Sequence, residues 1–298
     1  MREPLVAYYD FCCCPTSYDI VSFLMMVERH RRNPAVDASE VLIRFLPGPD
    51  EGYRPSVTWP VTREDKQMMM ERVVLPMCSM LPCVKNVQVL ELRPQMAKIS
   101  SIGWGLYSMG FKEFCDTYAM GIRPLRVEPT PFIPEPYITM TLREAEHWPE
   151  RNSKLTEWLK AAEKLMKWWT VVIVRDARKA DEHLEGFRTF PEASHDLCLR
   201  AQLYCNAALN MGVNNGPMWF AMALDAPTAI MRPITETTCA AHTVEAMRRY
   251  GIREHHQMKG QPEHQRLAWF DDECEHIVGV ANNCMLVHQE IAKVAVHA

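Results

Sequence analysis

The sequence predicts an α/β protein built from two parallel-sheet domains, and three observations carry that expectation. Short apolar runs alternate with amphipathic stretches along most of the chain, the rhythm of parallel strands joined by crossover helices. One stretch, Pro124 to Pro136 ("PLRVEPTPFIPEP"), carries five prolines and fits neither a helix nor a central strand. Beyond it the same rhythm restarts, and 298 residues allow two domains of about 150 each.

The elements of the first half follow in order. "LVAYY" (Leu5 to Tyr9) reads as a short apolar strand. After a Cys-Pro turn, Thr16 or Ser17 is placed to cap a helix running to about Arg31, with Ile20, Phe23, Leu24 and Val27 on one face. "EVLIRFLPGP" is a second strand, stopped by Pro47-Gly48-Pro49. A helix over Arg63 to Val74 and a strand at "NVQVLEL" complete a β-α-β-α-β order. The proline-rich stretch is read as a semi-rigid linker between domain 1–130 and domain 131–298, with a surface loop as the alternative.

In the second half, "YITMTLR" alternates, with Ile138, Met140 and Leu142 facing one way. Asn152 or Ser153 is placed to cap a helix whose stripe is Leu155, Trp158, Leu159, Ala162, Leu165, Met166 and Trp169. "TVVIV" is a buried strand ending at Arg175-Asp176. A helix begins near His195-Asp196, with Leu197, Ala201, Tyr204, Ala208 and Met211 on one face. Then come "MGVNN" (strand and turn), "GPMWFAMAL" (helix), "PTAIM" (strand) and a helix over Thr237 to Tyr250 with Gly251 as its stop. A long last helix, about Asp272 to Val296, places Ile277, Val280, Cys284, Val287, Ile291 and Val294 along one stripe suited to lying across the body. A coiled-coil homodimer through that helix is the alternative, though the stripe is short for one. Two Rossmann-like sheets joined by a proline linker result.

Composition narrows the function classes. With 48% hydrophobic and 23% charged residues, the chain has enough apolar surface for a substantial core. A formal charge of -4 argues against non-specific attraction to a nucleic-acid backbone. No apolar run is long enough for a membrane span, and "MREPLVAYYD" lacks a signal-peptide core, so a cytoplasmic protein is expected. Eleven cysteines fit reduced thiols in a chain of this size. Cys12, Cys13 and Cys14 are consecutive and no paired C-x₂₋₄-C spacing supports a zinc site. His255, His256, His264 and His276 lie near Cys274 in sequence without a convincing ligand spacing, and read as solvated. Trp148, Trp158, Trp168 and Trp169 read as core or interface.

One stretch asks for more. In "LNMGVNNGPMWFAMALDAPTAIM" an apolar run breaks at Asn214-Asn215-Gly216-Pro217 and resumes at once. Gly216 permits a tight turn or close ligand approach, and Pro217 suits the first helical turn. The helix amides that follow favour an anion such as phosphate. Alone, the bend reads equally as an ordinary strand-to-helix turn.

"NNGPMWFAMALDAPTAI" resembles the C-terminal motif of heptosyltransferase-like glycosyltransferases of the GT-B fold (glycosyltransferase family 9), D-[ST]-G-P-x-H-x-A-x-A-x-x-x-P, with Gly216, Pro217, Ala221, Ala223 and Pro227 in register. "DLCLRAQLYCNAALNMGV" is similar to the preceding helix and strand, and "TLREAEHWPERNSKLTEWL" resembles the opening of the family's donor domain. The family's acidic residue is Asn214 here, its Ser or Thr is Asn215, and its His is Trp219. The resemblance covers the second half; the first half shares only the strand-helix rhythm.

The resemblance implies two Rossmann-like domains facing a cleft, and transfer of a sugar from a nucleotide-sugar to an acceptor hydroxyl without a metal or other cofactor. A diphosphate leaving group needs amides or cations, and the acceptor needs a base. Arg143, after the first strand of the second domain, and Arg151, before the next helix, are the candidate cations beside Asn214, Asn215, Gly216 and Pro217. Asp176 is placed to meet the nucleotide, although an exposed Arg175-Asp176 pair reads as well. The family keeps a catalytic Asp just after its first strand, as Gly-Asp, which selects Asp10 although Tyr9 replaces the glycine; Asp19 is its rival. The competing functions are a non-catalytic nucleotide-sugar-binding or scaffold protein of the same fold, and a sugar-nucleotide epimerase.

Overall fold

Strands that are apolar at every position need cover on both faces, and that requirement organises this chain. The computed structural model describes residues 4–36, 38–48, 62–94, 102–103, 107–128, 130–235 and 243–296. It divides into two compact units, Met1–Arg126 and Val127–Ala298. The division falls inside the proline-rich stretch, which forms no helix or strand among its described residues. Each end of that stretch is tied down locally: Arg126 N–H donates to Met80 O in the first unit, and Ile133 is buried in the second.

In the first unit, β1 (Leu5–Asp10), β2 (Val41–Leu46), β3 (Val84–Val89) and β4 (Ile102–Gly103) form a parallel sheet in the order β3-β2-β1-β4. Helices α1 (Ile20–Arg31) and α4 (Tyr107–Ala119) pack together. The core centres on Tyr9, which meets Phe11, Phe23 and Phe45 edge-on at 5.6, 5.1 and 5.6 Å. The chain adds β2 and then β3 on one side of β1 and crosses back to place β4 on the other, so the strand order reverses there, and the carboxyl end of β1 is a topological switch point. Asp10 is its last residue.

In the second unit, β5 (Tyr137–Thr141), β6 (Thr170–Val174), β7 (Leu209–Val213), β8 (Thr228–Met231) and β9 (Gln265–Ala268) form a wholly parallel sheet in the order β6-β5-β7-β8-β9. One face carries Ile138, Met140 and Leu142 against α5 (Leu155–Leu165) and α10 (Cys274–Val296). The other carries Tyr137, Val172 and Val174 against Leu203 of α7 (Leu197–Asn206) and Ala193 of α6 (Glu192–His195). The alternation of "YITMTLR" thus serves two buried faces, and its threonines are paired inside: Thr139 Oγ1 donates to Asn210 Oδ1 (2.7 Å), and the Thr141 hydroxyl bonds the Tyr204 hydroxyl (2.8 Å). The switch point lies between β5 and β7.

Helix α8 (Gly216–Ala223) follows β7 and packs closely on it. A Cβ built on Gly212 would stand 2.8 Å from both Met218 Sδ and the Thr141 carbonyl oxygen. The thioether can swing aside, but the carbonyl belongs to the neighbouring strand. Gly212→Ala should therefore cost about 1–3 kcal/mol in chemical unfolding. A change below about 0.5 kcal/mol would show that the sheet edge is looser than this.

Several local expectations are corrected. Neither Thr16 nor Ser17 caps α1, which begins after Asp19; Ser17 Oγ bonds the Asp19 carboxylate instead. Neither Asn152 nor Ser153 caps α5: Ser153 Oγ accepts Arg143 N–H (3.0 Å) and Asn152 holds the loop before it. The helix read over Arg63 to Val74 is α2 (Arg63–Met69), a π-helical turn (Met70–Val74) and α3 (Leu75–Ser79), the last accommodating Pro76 in its first turn. "NVQVLEL" pairs as β3 from Val84 to Val89, two residues earlier than read. Helix α7 stops at Asn206, so Met211 belongs to β7 rather than to that helix's stripe. Met166 and Trp168 lie past the end of α5 and are exposed, Trp168 at 78%. Of the helix expected over Thr237 to Tyr250, α9 (Val244–Arg249) is described and Thr237 lies outside the described residues; Gly251 follows with φ 85°. Pro49 lies outside them too, and Val287, Ile291 and Val294 are outside the described side chains. The edge strands β4 and β9 were not read from the sequence, each being too short for a periodicity to show.

Candidate functional site

The carboxyl edge of the second sheet collects the sequence-predicted residues around the switch point. The loop after β5, residues 142–154, and the bend after β7 leave the sheet side by side. Arg143 stands second in that loop and is buried. Its guanidinium donates to the carbonyls of Trp148 (3.0 Å) and His147 (2.7 Å) and bonds Asn152 Oδ1. A cation expected to grip a ligand thus fixes its own loop, adding a second donor to Trp148 O, which also accepts Arg151 N–H (3.0 Å).

Trp148 takes the left-handed conformation, φ 48°, before the single 3-10 turn Pro149–Arg151. Arg151, also buried, lies over the Trp148 ring at 5.6 Å and donates through Nη2 to Asn214 O (3.2 Å). That bond ties the two loops that flank the switch point. Arg232, the residue after β8, has φ 48° as well and reaches the same loop, donating to Asn152 O (2.9 Å) and Glu150 O (3.3 Å). Two left-handed non-glycine residues at one sheet edge are backbone strain held by surrounding bonds, the kind of arrangement that collects at functional sites.

Asn214 and Trp219 face inward. Trp219 Nε1–H donates to Asn214 Oδ1 (2.8 Å), and Asn214 Nδ2 donates to Pro233 O (2.5 Å). Asn214, expected beside the ligand, is 2% exposed and holds the bend together instead. Its neighbour Asn215 is the N-cap of α8, its Oδ1 accepting Met218 N–H (3.0 Å). The backbone N–H groups of Asn215 and Gly216 find no acceptor among the described residues, and Gly216 and Pro217 are half-buried. Two amides at a helix N-terminus, at a sheet's carboxyl edge, form an opening for negative charge. The local field agrees. Burial and the guanidinium groups of Arg143, Arg151 and Arg178 push His147 down to about 4, so it is neutral at physiological pH.

Asp176, the remaining second-unit candidate, lies in a turn. Asp176 shapes the turn after β6, accepting Lys179 N–H at its carbonyl (2.8 Å) and Arg178 N–H at Oδ1 (3.4 Å). The pair expected to be exposed is not: Arg175 is buried and forms a two-pronged ion pair with Glu144 of the β5 loop.

In the first unit, both oxygens of Asp10 are held by Arg93: Nη1 to Oδ1 at 2.7 Å and Nη2 to Oδ2 at 2.5 Å. Cys12 N–H also donates to Oδ1 (2.8 Å). Burial alone would raise the Asp10 pKa, but Arg93 and the Cys12 amide outweigh it and hold the carboxyl below its ordinary range. Asp19 stands at the start of α1, bonded to Ser17, and caps no helical amide. Among the described residues, no three His, Cys, Asp or Glu side chains converge as metal ligands, and no helix is long and apolar enough to cross a membrane.

No family model and no curated protein matches the chain. Solved structures do. The ADP-heptose lps heptosyltransferase II of E. coli is 13% identical over 96% of this chain and 99% of its own, with a TM-score of 0.55. The bacterial iron-containing dodecameric glycosyltransferase TibC of enterotoxigenic Escherichia coli is 13% identical over 99% of this chain and 78% of its own, TM-score 0.50. TibC in complex with ADP-D-beta-D-heptose gives 14% over 97% and 79%, TM-score 0.51. The chain has the GT-B fold. In this GT-B chain three residues that sequence reasoning missed belong to the site's frame: Arg93, Arg232 and Glu144. Arg232 and Glu144 follow their strands by one and three residues, the same strand-end signal that singles out Arg143; Arg93 follows β3 by four.

Proposed function

We propose that this chain is a glycosyltransferase that moves a sugar from a nucleoside-diphosphate sugar to an acceptor hydroxyl, with the diphosphate taken by the α8 N-terminus and Asp10 as the acceptor's base. The observation that carries it is the pair of acceptor-free amides, Asn215 and Gly216, at the switch point of a fold shared with a protein that binds ADP-heptose. Amides aimed at a developing diphosphate charge stabilise the leaving group without reorganising. An adenosine diphosphate sugar is the first donor to try, by that likeness. Metal independence is part of the proposal, since amides and cations supply the positive charge in this reading.

Asn215→Asp tests the donor site cleanly. Aspartate caps a helix as well as asparagine does, so thermal stability should hold within a few degrees. A carboxylate beside the open amides should weaken a nucleoside diphosphate at least about tenfold. Thermal shift against ADP, GDP, UDP and CMP and their sugars should show stabilisation of the wild type by one of them, lost in the variant. No shift with any nucleotide defeats the proposal. A second reading, a non-catalytic nucleotide-sugar-binding protein, is favoured by one observation: Asn214 and Trp219, which replace the family's acidic residue and His, are occupied with each other. Donor binding without transfer would select it.

A further inference from the structure

Arg93 follows β3, yet its guanidinium reaches three other points of the first sheet's carboxyl edge. Besides both Asp10 oxygens, Nη1 lies 2.8 Å from Pro47 O, after β2, and 2.9 Å from Cys12 Sγ, after β1. One side chain therefore stitches the ends of β1, β2 and β3 around a single carboxylate at the unit's switch point. A carboxylate offers about four lone-pair positions. Oδ1 takes two donors, Arg93 Nη1 and Cys12 N–H; Oδ2 takes one, Arg93 Nη2. Among the described residues no other hydrogen-bond donor is placed on Oδ2 beyond the neighbouring Cys12 thiol, and the Asp10 side chain is 18% exposed, enough for a small group to reach it.

We propose that Arg93 is a positioning residue for the transfer reaction, holding the Asp10 carboxylate so that one open lone pair of Oδ2 receives the acceptor hydroxyl. The inference rests on the transferase reading above. In the step it serves, the acceptor O–H proton passes to Asp10 Oδ2 as the hydroxyl oxygen bonds the anomeric carbon. The anomeric C–O bond to the diphosphate breaks, and its electron pair leaves with the nucleoside diphosphate. The other titratable groups near Asp10 among the described residues are the thiols of Cys12, Cys13 and Cys14 on its own loop; the β2 loop brings only the Pro47 carbonyl.

The sign of the expected pH effect follows from the contacts. With Arg93 in place Asp10 stays ionised below the usual carboxylate range; without it, burial, which raises the pKa, is opposed only by the weaker hold of Cys12. Arg93→Gln should move the Asp10 carboxyl carbon titration, followed by NMR on the whole chain, upward by about one pH unit or more. The acid limb of kcat/KM should move with it, while kcat at pH 7 falls about ten- to a hundredfold and the donor KM stays. Arg93→Lys, which keeps the charge but not the two-pronged grip, should fall between. Unchanged thermal unfolding confirms that the variants fold. An Asp10 midpoint and acid limb that stay put in Arg93→Gln overturn the inference. A moved midpoint in a protein whose wild type transfers from no donor leaves Arg93's hold standing and defeats the transferase reading.

Discussion

Replacing Asp272 by alanine should lower the unfolding free energy by about 3–5 kcal/mol, the cost of breaking a buried ionic network from one side. Asp272 is fully buried just before α10. Its Oδ2 accepts Lys154 N–H at the start of α5 (2.8 Å) and Trp158 Nε1–H within it (2.9 Å), and its Oδ1 lies 3.1 Å from Arg232 Nη1. Alanine leaves an amide and an indole N–H buried without acceptors, and a guanidinium only 14% exposed without its closest counter-charge. The adjacent Asp271 is a built-in control. It pairs with Lys154 at the surface, both side chains being at least 40% exposed, so Asp271→Ala should cost less than about 1 kcal/mol. Denaturant midpoints for the two variants decide the matter; equal losses would mean that burial does not set the value of this carboxylate. Because Asp272 also anchors Arg232, which holds the loop carbonyls of Glu150 and Asn152, its loss should loosen the site edge before the sheet.

What could be read from the sequence was local and periodic. The apolar runs of β1, β5, β6 and β7 and the Asn-Asn-Gly-Pro bend announce themselves because strand length, capping chemistry and proline geometry act within a few residues. Arg143 is legible as a strand-end cation, but its partners are not, being carbonyls four and five residues on, in a loop whose path the sequence does not fix. Asn152 and Ser153 had cap-forming side chains but spent them on that loop. Arg93, 83 residues from Asp10, and Asp272, 118 from Lys154, are long-range partners with no periodic trace. Asn214 and Trp219 looked like two separate departures from a motif; in space they are one hydrogen bond, and neither side chain has to meet a ligand for the bend to hold.

The pairing of Asp10 with Arg93 sharpens what Asp10→Asn should do. Asparagine keeps the shape of the carboxylate, and Arg93, 36% exposed, can hydrate when its ionic partner is lost, so stability should fall by less than about 1 kcal/mol. In the proposed reaction the group that takes the acceptor's proton is gone, however, and general-base catalysis is worth about 10²–10⁴ in rate. Transfer from the accepted nucleotide-sugar should drop by that factor. Donor affinity, which the proposal assigns to the Asn215 and Gly216 amides of the second unit, should not change. The split between kcat and donor affinity distinguishes the readings: a damaged fold lowers both, and a non-catalytic binder has no transfer to lose. Undiminished transfer would move the base to another carboxylate. Asp19 is the next to substitute, because it stands at a helix start without capping it, and its Ser17 contact comes from a neighbouring residue.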